Sequence, residues 1–555
     1  MKSTSGLLRR DVLKTGGAFL VSFLFNPAPR EASAQTGSGP VHAGKTVDIH
    51  QVDSFLEIHR DGSVTIYTGK VDLGTGLRIA VRQMAAEELG IPIARVDLVE
   101  GDTGLTPDQG RTGGSSGLVQ GGVGVRQAAA TARTRIFELA SQKLDRPVSS
   151  LSLSNGQVTS SVGGPAVAIS DLVGDKPFEL KVDPKVALKD PRTYSVVGQS
   201  IPRPDVPGKC TGKHTYVHDF KVPGMLHGRV IRPPALGAKL VSVDESSVAG
   251  IPDVRVVRMN DFLGVVAKNE WAAIRAAATL KATWSDWQGL PTDAELPRVV
   301  RESVIDHDEK PVSRGDSRSA LAASSAPSAS SAKFSASYYF PYQGHASMGP
   351  SCAVADVRPD SITIWTASQS THLFRTIFAE SFGLPESKVR LIYLDGSGCY
   401  GQNAHEDAAA DAAVLSRAVG SPVRVQWMRQ DEHGWDPKGP PEVIDMRAIA
   451  SPDGTLTAWE TELWVPMWIN TKGTIPLVGL DAAGIKQRQG RWPGSVDENL
   501  DPPYSTPNVT VTVHRLKDSP LRTGHVRAPG KVASVWAVES LADEIAVASK
   551  MDAVA

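Results

Sequence analysis

The sequence predicts a multi-domain protein of the mixed α+β class. Its 555 residues allow about three or four domains at ~150 residues each. Segments with strand-like alternation and segments with helical periodicity both recur along the chain, separated by glycine-rich loops. Hydrophobic residues are 41% and charged residues 21%, the balance of an ordinary globular protein.

Charge and cysteine content exclude several classes of function. The formal net charge is −1, so a general affinity for nucleic acid or anionic membranes is not expected. The three cysteines, Cys210, Cys352 and Cys399, form no C-x-x-C motif. A zinc ribbon, a self-contained iron–sulfur centre and a disulfide-framework fold are therefore excluded.

Residues 1–35 are predicted to be an export signal. A paired-arginine motif, Arg9-Arg10, precedes an apolar run at 18–25 and an A-x-A site at Ala32-Ser33-Ala34. The run is shorter than the ~20 residues that cross a bilayer, and no later apolar stretch is long enough. The alternative is a short amphipathic start to the first domain. We expect export by the twin-arginine route, no transmembrane segment and a periplasmic location.

The first predicted unit covers residues 47–185. A hairpin around Asp61-Gly62 leads to Gly74-Thr75-Gly76 and an amphipathic helix that Gly90 ends. A strand, a polar glycine loop from Asp102 to Gly124 and a helix at 125–143 follow. This order of elements predicts an α+β unit.

Two further units are predicted. Prolines 202, 204 and 207 mark the boundary of a small α+β domain at 196–286, and a Ser/Ala-rich linker covers 313–333. The last unit, 334–555, alternates strands with helices. Its predicted strands are 362–366, 389–393, 423–428 and 509–514, and its predicted helices are 372–382, 405–419 and 531–549.

Three glycine loops are candidates for ligand binding. Residues 113–117 match G-x-S-x-G, but residues 107–112 cannot form the buried strand of a nucleophile elbow. We favour a loop of N–H and hydroxyl donors for a polar or phosphorylated ligand over a serine hydrolase with Ser115 as nucleophile. Gly74-Thr75-Gly76 precedes a helix N-terminus, which attracts anions, or is a plain strand–helix turn. The third loop, Gly396–Asn403, contains Cys399, for which packing is favoured over a role as nucleophile or metal thiolate.

Two histidine positions are less specific. His405-Glu406 opens a helix without a second histidine four residues on, so it is not a zinc motif, and its acidic residues suit the helix dipole. His345 either lines a pocket or is a hydrogen-bonded loop histidine.

Several ordered segments resemble the molybdopterin-binding large subunits of the xanthine dehydrogenase and aldehyde oxidase family. Residues 196–209 and 223–230 resemble the opening of its α/β hammerhead domain. Residues 72–76 and the loop ending at Gly114-Ser115 resemble its G-x-G cofactor loop and the Thr/Ser-rich loop that follows. Their place near the N-terminus matches the permuted order of the isoquinoline 1-oxidoreductase and nicotinate dehydrogenase type, as does the export signal. The resemblance implies molybdopterin-binding segments at 47–185 and 334–555 that flank a hammerhead domain at 196–286.

The resemblance also implies roles for particular residues. Gln369 falls where the family has a glutamine that hydrogen-bonds an oxygen on molybdenum, and Arg527 falls on an arginine motif near substrate and metal. His345 and Tyr400 are expected in the substrate pocket. The residues expected to bind the cofactor are Gly74, Thr75, Gly76, Asp108, Gln109, Thr112, Gly113, Gly114, Ser115, Gly398, Cys399, Tyr400, Gly401, Gln402 and Arg527.

The implied cofactor is molybdenum bound by the two sulfurs of a molybdopterin, expected as the cytosine dinucleotide, so no protein ligand cluster is expected. The implied reaction inserts a water-derived oxygen into an aldehyde or an N-heteroaromatic substrate. The iron–sulfur clusters of the family lie outside this chain, so a small [2Fe–2S] subunit is the expected partner, with a cytochrome c as a further acceptor.

The sequence also departs from the family. The glutamate base of its Gly-x-Gly-Glu type motif is not found before Ala555, so we expect the domain at 334–555 to be incomplete at its C-terminus. Gly349 stands where many relatives have glutamate, and Tyr400 replaces the usual phenylalanine. The alternative function is therefore a truncated, non-catalytic relative or a gene fragment that binds cofactor or partner without turnover.

Overall fold

The structure is a computed structural model that describes residue 45 and residues 47–287, 289–323, 331–469, 476–488, 491–492, 494 and 496–554. The predicted export signal lies outside the described residues, as do residues 324–330 of the predicted linker.

The strands, in chain order, are β1 Leu56–Ile58, β2 Val64–Thr68, β3 Val96–Glu100, β4 Leu151–Ser154, β5 Gln157–Ser160, β6 Val167–Ala168, β7 Leu226–Ile231, β8 Leu240–Asp244, β9 Arg255–Met259, β10 Phe262–Ala267, β11 Lys281–Trp284, β12 Ile305–Arg314, β13 Ala332–Phe340, β14 Cys352–Arg358, β15 Ser361–Thr366, β16 Val389–Tyr393, β17 Val423–Gln426, β18 Glu442–Ala450, β19 Leu456–Pro466, β20 Trp468–Ile469, β21 Arg491–Trp492 and β22 Asn508–Leu516.

The α-helices are α1 Leu77–Leu89, α2 Val123–Leu144, α3 Ile169–Val173, α4 Val206–Cys210, α5 Glu270–Thr279, α6 Leu296–Glu302, α7 Ser317–Ala323, α8 Thr371–Phe382, α9 Asp407–Val419, α10 Arg429–Trp435, α11 Val478–Ala482 and α12 Lys531–Ala548. A π-helical turn, Gly117–Gly122, precedes α2. Among the described residues, no helix combines the length and apolarity needed to cross a bilayer.

Helix α1 follows directly from the local sequence. Leu77, Val81, Ala85 and Leu89 recur at helical spacing and are buried, which confirms the predicted amphipathic helix. The helix ends at Gly90, whose φ of 57° lies in the left-handed region that glycine adopts at helix ends. Helix α1 connects the parallel strands β2 and β3 and packs against α2.

A seven-stranded sheet joins two predicted units. Its order is β16-β15-β14-β17-β7-β10-β9, so strands of the predicted hammerhead range continue the sheet of the last unit. The junction is the parallel pair β7–β17, where Val423 lies opposite Leu226. Gly228 in β7 permits close packing of α9, since a Cβ there would lie 2.7 Å from Leu415 Cδ1. The strands at 226–267 thus do not form a separate sheet.

A five-stranded sheet supports the C-terminal helix. Its order is β12-β22-β19-β18-β13, and α12 buries Ala537 and Leu541 in the same core as Val511 and Val513. Strand β12 and helix α7 pack with this sheet although both precede residue 334, where the last unit is predicted to begin. Helix α7 therefore occupies part of the predicted linker.

Candidate functional site

Loops from distant parts of the sequence meet where β2, β15 and β16 end. The N–H of Val71, after β2, donates to Thr112 Oγ1 at 3.0 Å. The N–H of Thr112 donates to the carbonyl of Gln369, after β15, at 2.8 Å. The N–H of Gln369 donates to the carbonyl of Asn403, after β16, at 2.9 Å. Such strand ends are where α/β sheets commonly place their ligands.

Gln369 holds three of these loops together. Its Nε2 donates to the Thr112 carbonyl at 2.7 Å, and its Oε1 accepts from the Cys399 thiol at 3.0 Å. Gly113 lies against the same amide, since a Cβ there would be 3.3 Å from Nε2. The predicted residues Thr112, Gly113, Gln369 and Cys399 are thus brought into one cluster. Both polar atoms of the Gln369 amide already have protein partners.

Burial raises the pKa of the Cys399 thiol. A thiol that stays protonated is a poor nucleophile and a poor metal ligand. Its hydrogen bond to Gln369 Oε1 therefore fits the packing role favoured from the sequence.

The Gly74-Thr75-Gly76 loop is occupied by a carboxylate of the chain. The N–H groups of Gly74 and Gly76 donate to Asp72 Oδ1 at 2.8 and 3.3 Å, and the N–H of Arg78 donates to Asp72 Oδ2 at 2.9 Å. A carboxylate is stabilised at a helix N-terminus by the free N–H groups and the helix dipole. These donors are consequently not available to a phosphate, in contrast to their predicted role. Thr75 is exposed beside them.

The Gly113–Ser115 turn keeps its donors free. Gly114 and Ser115 have φ of 56° and 60°, both residues are exposed, and a Cβ on Gly114 would meet no atom within 4 Å. Within the described part of the chain, the N–H groups of these three residues donate no hydrogen bond. Residues 107–112 form no strand, so the nucleophile elbow that a serine hydrolase would need at Ser115 is absent from the described residues.

A buried lysine supports this turn. Lys70 Nζ donates to the Arg111 carbonyl at 2.6 Å and contacts Ser116 Oγ at 3.1 Å. Burial lowers the pKa of Lys70. Within the described residues Lys70 forms no ion pair, so its charge favours an anion nearby. Lys70 is not predicted from the sequence, because nothing in its local sequence shows that it is buried.

Two other predicted residues in this region have structural roles. Gln109 Oε1 accepts from Thr68 Oγ1 at 2.7 Å and from the Gly69 N–H at 3.0 Å, so it fixes the loop to the end of β2. Asp108 is exposed and accepts from the Gly110 N–H at 2.9 Å.

The loop after β16 is strained and partly open. Gly398 and Gly401 have φ of 125° and 105°, and Tyr400 has φ of 53° with a side chain that is exposed. Such a φ costs a residue other than glycine about 1–2 kcal/mol. Gln402 is buried instead and donates through Nε2 to Glu432 Oε1 and Ser351 Oγ, each at 2.6 Å.

Arg527 joins the cluster through its backbone, whose N–H donates to the Tyr400 carbonyl at 2.7 Å. Its side chain is exposed, and in the described ranges its guanidinium has no hydrogen bond or ion pair. His345 differs from its predicted place in a substrate pocket. It is buried, with Nδ1 3.0 Å from Asp436 Oδ2 and Nε2 2.5 Å from the His525 carbonyl.

A small cavity lies beside the loop after β16. Gly398 and Gln402 line it, together with His405 and Glu406. Burial raises the pKa of Glu406 to about 8, so this carboxyl group is neutral at pH 7. The predicted helix start at His405-Glu406 is confirmed, because Glu406 directly precedes Asp407, the first residue of α9. The structure also places both side chains in the buried wall of this cavity.

Part of the site has the groups needed to bind the phosphates of a cofactor. The open N–H groups of the Gly113–Ser115 turn suit phosphate oxygens, and Lys70 and Arg527 supply positive charge. The Gly74–Gly76 loop does not fit as a phosphate site, because Asp72 occupies it.

Comparisons with known proteins agree with this arrangement. Residues 32–205 and residues 302–472 each match a family model described as a molybdopterin cofactor-binding domain. A nicotinate dehydrogenase subunit from Pseudomonas putida is 37% identical over 536 residues, which cover 93% of this chain and 43% of that protein. The beta subunit of isoquinoline 1-oxidoreductase from Brevundimonas diminuta is 26% identical over 482 residues, covering 77% and 60%. This chain therefore spans about half the length of the curated relatives it matches.

Solved structures show the same fold. Aldehyde oxidoreductase from Desulfovibrio gigas has a TM-score of 0.52 at 19% identity, covering 81% of this chain and 47% of that one. Quinoline 2-oxidoreductase from Pseudomonas putida has a TM-score of 0.51 at 20% identity, covering 64% and 49%. The predicted multi-domain α+β class is confirmed, and the chain belongs to the xanthine dehydrogenase family of molybdopterin-binding large subunits.

Proposed function

We propose that this chain forms the molybdopterin-binding part of a molybdenum hydroxylase that oxidises aldehydes or N-heteroaromatic compounds with oxygen derived from water. The observation that carries the proposal is the hydrogen-bonded meeting of Thr112, Gln369 and Cys399 beside the backbone contact of Tyr400 with Arg527. When bound, the molybdenum–pterin group supplies the two-electron oxidising centre that protein side chains lack.

The residues of the chain bind the cofactor and fix the loops around it. The Gly113–Ser115 turn donates N–H groups to the cofactor phosphates, above the buried charge of Lys70. Gln369 fixes the loops around it, because both ends of its amide are hydrogen-bonded. The guanidinium of Arg527 supplies a positive charge to an anionic group of the cofactor or substrate.

The finer features of the proposal rest on the sequence and on relatives. We propose the cytosine dinucleotide form of the cofactor, a small [2Fe–2S] subunit as electron acceptor and a cytochrome c beyond it. The relatives named above are subunits of larger enzymes, which supports a partner. The Arg9-Arg10 motif supports export to the periplasm.

Cofactor content tests the proposal. The chain, co-expressed with its genomic neighbours in a host that makes molybdopterin, should purify with molybdenum and pterin close to one per chain. Acid hydrolysis should release CMP if the dinucleotide contains cytosine. A folded chain purified with its partner but without both molybdenum and pterin would overturn the proposal.

Two variants, each with a matched control, test the roles of particular residues in cofactor binding. Gly114→Asp introduces a negative charge at the open turn and should lower cofactor content at least fivefold, whereas Gly163→Asp should not. Gly163 is the matched control, since its φ is 84° and a Cβ there would also meet nothing within 4 Å. Arg527→Gln should lower cofactor content, with Arg255→Gln on the exposed side of β9 as its control.

A further inference from the structure

Two buried histidines bond to the backbone of one residue, His525, which lies two positions before Arg527. His405 Nε2 lies 3.3 Å from the backbone N–H of His525 and accepts a hydrogen bond from it. His345 Nε2 lies 2.5 Å from the backbone carbonyl of His525 and donates to it. We call His345 and His405 the histidine clamp.

The bond directions determine where the imidazole protons lie. A backbone N–H can only donate, so His405 Nε2 carries a lone pair and the neutral ring has its proton on Nδ1. A backbone carbonyl can only accept, so His345 Nε2 carries a proton in this contact, while its Nδ1 lies 3.0 Å from a second acceptor, Asp436 Oδ2. Burial, together with the nearby His525 and Arg522, holds the pKa of His405 well below its usual value. The acceptor at Nε2 therefore persists at physiological pH.

Two glycines permit the close approach between the clamp histidines and the backbone of His525. A Cβ on Gly524 would lie 2.7 Å from His405 Nε2, and a Cβ on Gly401 would lie 2.5 Å from the His525 carbonyl oxygen. Neither distance is compatible with a side chain, so glycine at both positions permits the approach. The contacts of the histidine clamp with His525 therefore require glycine at positions 401 and 524.

The clamp acts where the backbone is strained. Tyr400 and Ala528 have φ of 53° and 56°, a conformation that costs residues other than glycine about 1–2 kcal/mol each. The N–H of Arg527, the residue before Ala528, donates to the Tyr400 carbonyl at 2.7 Å, so the two strained segments are joined. Strained backbone persists only where surrounding contacts fix it. The hydrogen bonds to the N–H and the carbonyl of His525 supply such contacts two residues before Arg527.

We propose that His345 and His405 are positioning residues that hold the backbone of His525 and thereby direct the free guanidinium of Arg527 toward a phosphorylated, anionic cofactor. The role given to Arg527 rests on the proposed function. The hydrogen-bonding pattern of the clamp does not, because it is formed by the chain alone.

Glutamine serves as the conservative replacement at both positions, because its amide can donate at residue 345 and accept at residue 405. The disruptive variants are His345→Leu and His405→Phe, which keep bulk and remove the hydrogen bond. We expect His345→Leu and His405→Phe to lose at least fivefold in molybdenum and pterin per folded chain. His345→Gln and His405→Gln should stay within twofold of wild type.

Repeating the substitution in an Arg527→Gln chain distinguishes a positioning role of the clamp from a role in folding. In an Arg527→Gln chain, adding His405→Phe should cause no further loss of cofactor, because the group that the clamp positions is already gone. An equal fivefold loss in both backgrounds would overturn the proposal, and so would wild-type cofactor content in His405→Phe. Thermal unfolding of each variant shows that only folded protein is compared.

The apo chain gives an independent readout. NMR of the chain labelled with ¹⁵N-histidine, assigned by the variants above, should show His405 protonated on Nδ1 and His345 protonated on Nε2. A proton on Nε2 of His405 at pH 7 would overturn the clamp. A wild-type chain without molybdenum or pterin would overturn the proposed function, and the tautomers alone would then decide whether the clamp stands.

Discussion

The thiol of Cys399 lies 3.0 Å from the side-chain oxygen of Gln369 and donates a hydrogen bond to it. This contact joins the loop after β16 to the loop after β15. The nitrogen of the same amide donates to the Thr112 carbonyl at 2.7 Å, which adds the loop before α2. One buried glutamine thus connects three parts of the sequence that are distant from each other.

Gln369→Leu should destabilise the folded chain by about 1–3 kcal/mol, because it leaves buried polar groups of Thr112 and Cys399 without their partner. Urea unfolding monitored by tryptophan fluorescence measures this. Gln127→Leu is the control, since Gln127 makes one exposed hydrogen bond, to the Pro184 carbonyl, and its loss should cost under about 0.5 kcal/mol. Equal effects of the two substitutions would contradict the connecting role of Gln369.

The three cysteines should differ sharply in reactivity. Cys210 is exposed, whereas burial raises the pKa of Cys352 to about 12 and also raises the pKa of Cys399. Because thiolate is the reactive form, a thiol reagent at pH 8 should modify Cys210 rapidly and the other two only after unfolding. Mass spectrometry of the labelled peptides checks this. Rapid labelling of Cys399 in the folded chain would show that its loop opens.

Local sequence signals accounted for much of the secondary structure. Helix α1 and its end at Gly90 follow from a 3.6-residue period and a left-handed glycine, both visible within 14 residues of sequence. The parallel pair β7–β17 does not follow from any local signal, because its strands lie nearly 200 residues apart. Its absence from the prediction explains why the hammerhead range was expected to form a domain by itself.

The candidate site was predictable only in part. Gln369, Cys399 and Thr112 were named from motifs, and the structure brings them into contact. Asp72 was overlooked as a cap, although an aspartate two residues before a glycine is a known turn signal. The roles of Lys70 and His405 could not have been predicted in this way, since they come from burial between segments that meet only in the folded chain.

Asp72→Ala should cost about 1–2 kcal/mol of folding free energy, the usual effect of losing a helix cap, because three N–H groups lose their acceptor. Asp108→Ala provides the comparison, since the exposed Asp108 accepts, within the described residues, from the Gly110 N–H alone and its loss should cost under about 0.5 kcal/mol. Chemical unfolding curves give both values. A negligible effect at Asp72 would contradict a stabilising role for these three hydrogen bonds.

Glu406 should make stability depend on pH. Burial raises its pKa from 4.5 to about 8, so the folded chain keeps a proton that the unfolded chain has already released. Between pH 4.5 and 8 the wild-type chain therefore loses stability as pH rises, by up to about 1.4 kcal/mol per pH unit from this group. Below pH 4.5 both states are protonated, and the contribution is fully retained.

Glu406→Gln removes this dependence, because glutamine stays neutral and its amide can still bond Thr366 Oγ1, the present partner of Glu406. The difference in unfolding free energy between Glu406→Gln and wild type should therefore move in favour of the variant from pH 5 to pH 8. Urea unfolding at several pH values measures it, with the exposed Glu245→Gln as control. Parallel stability profiles for Glu406→Gln and wild type would show that Glu406 is ionised in the folded chain and that its cavity wall is charged.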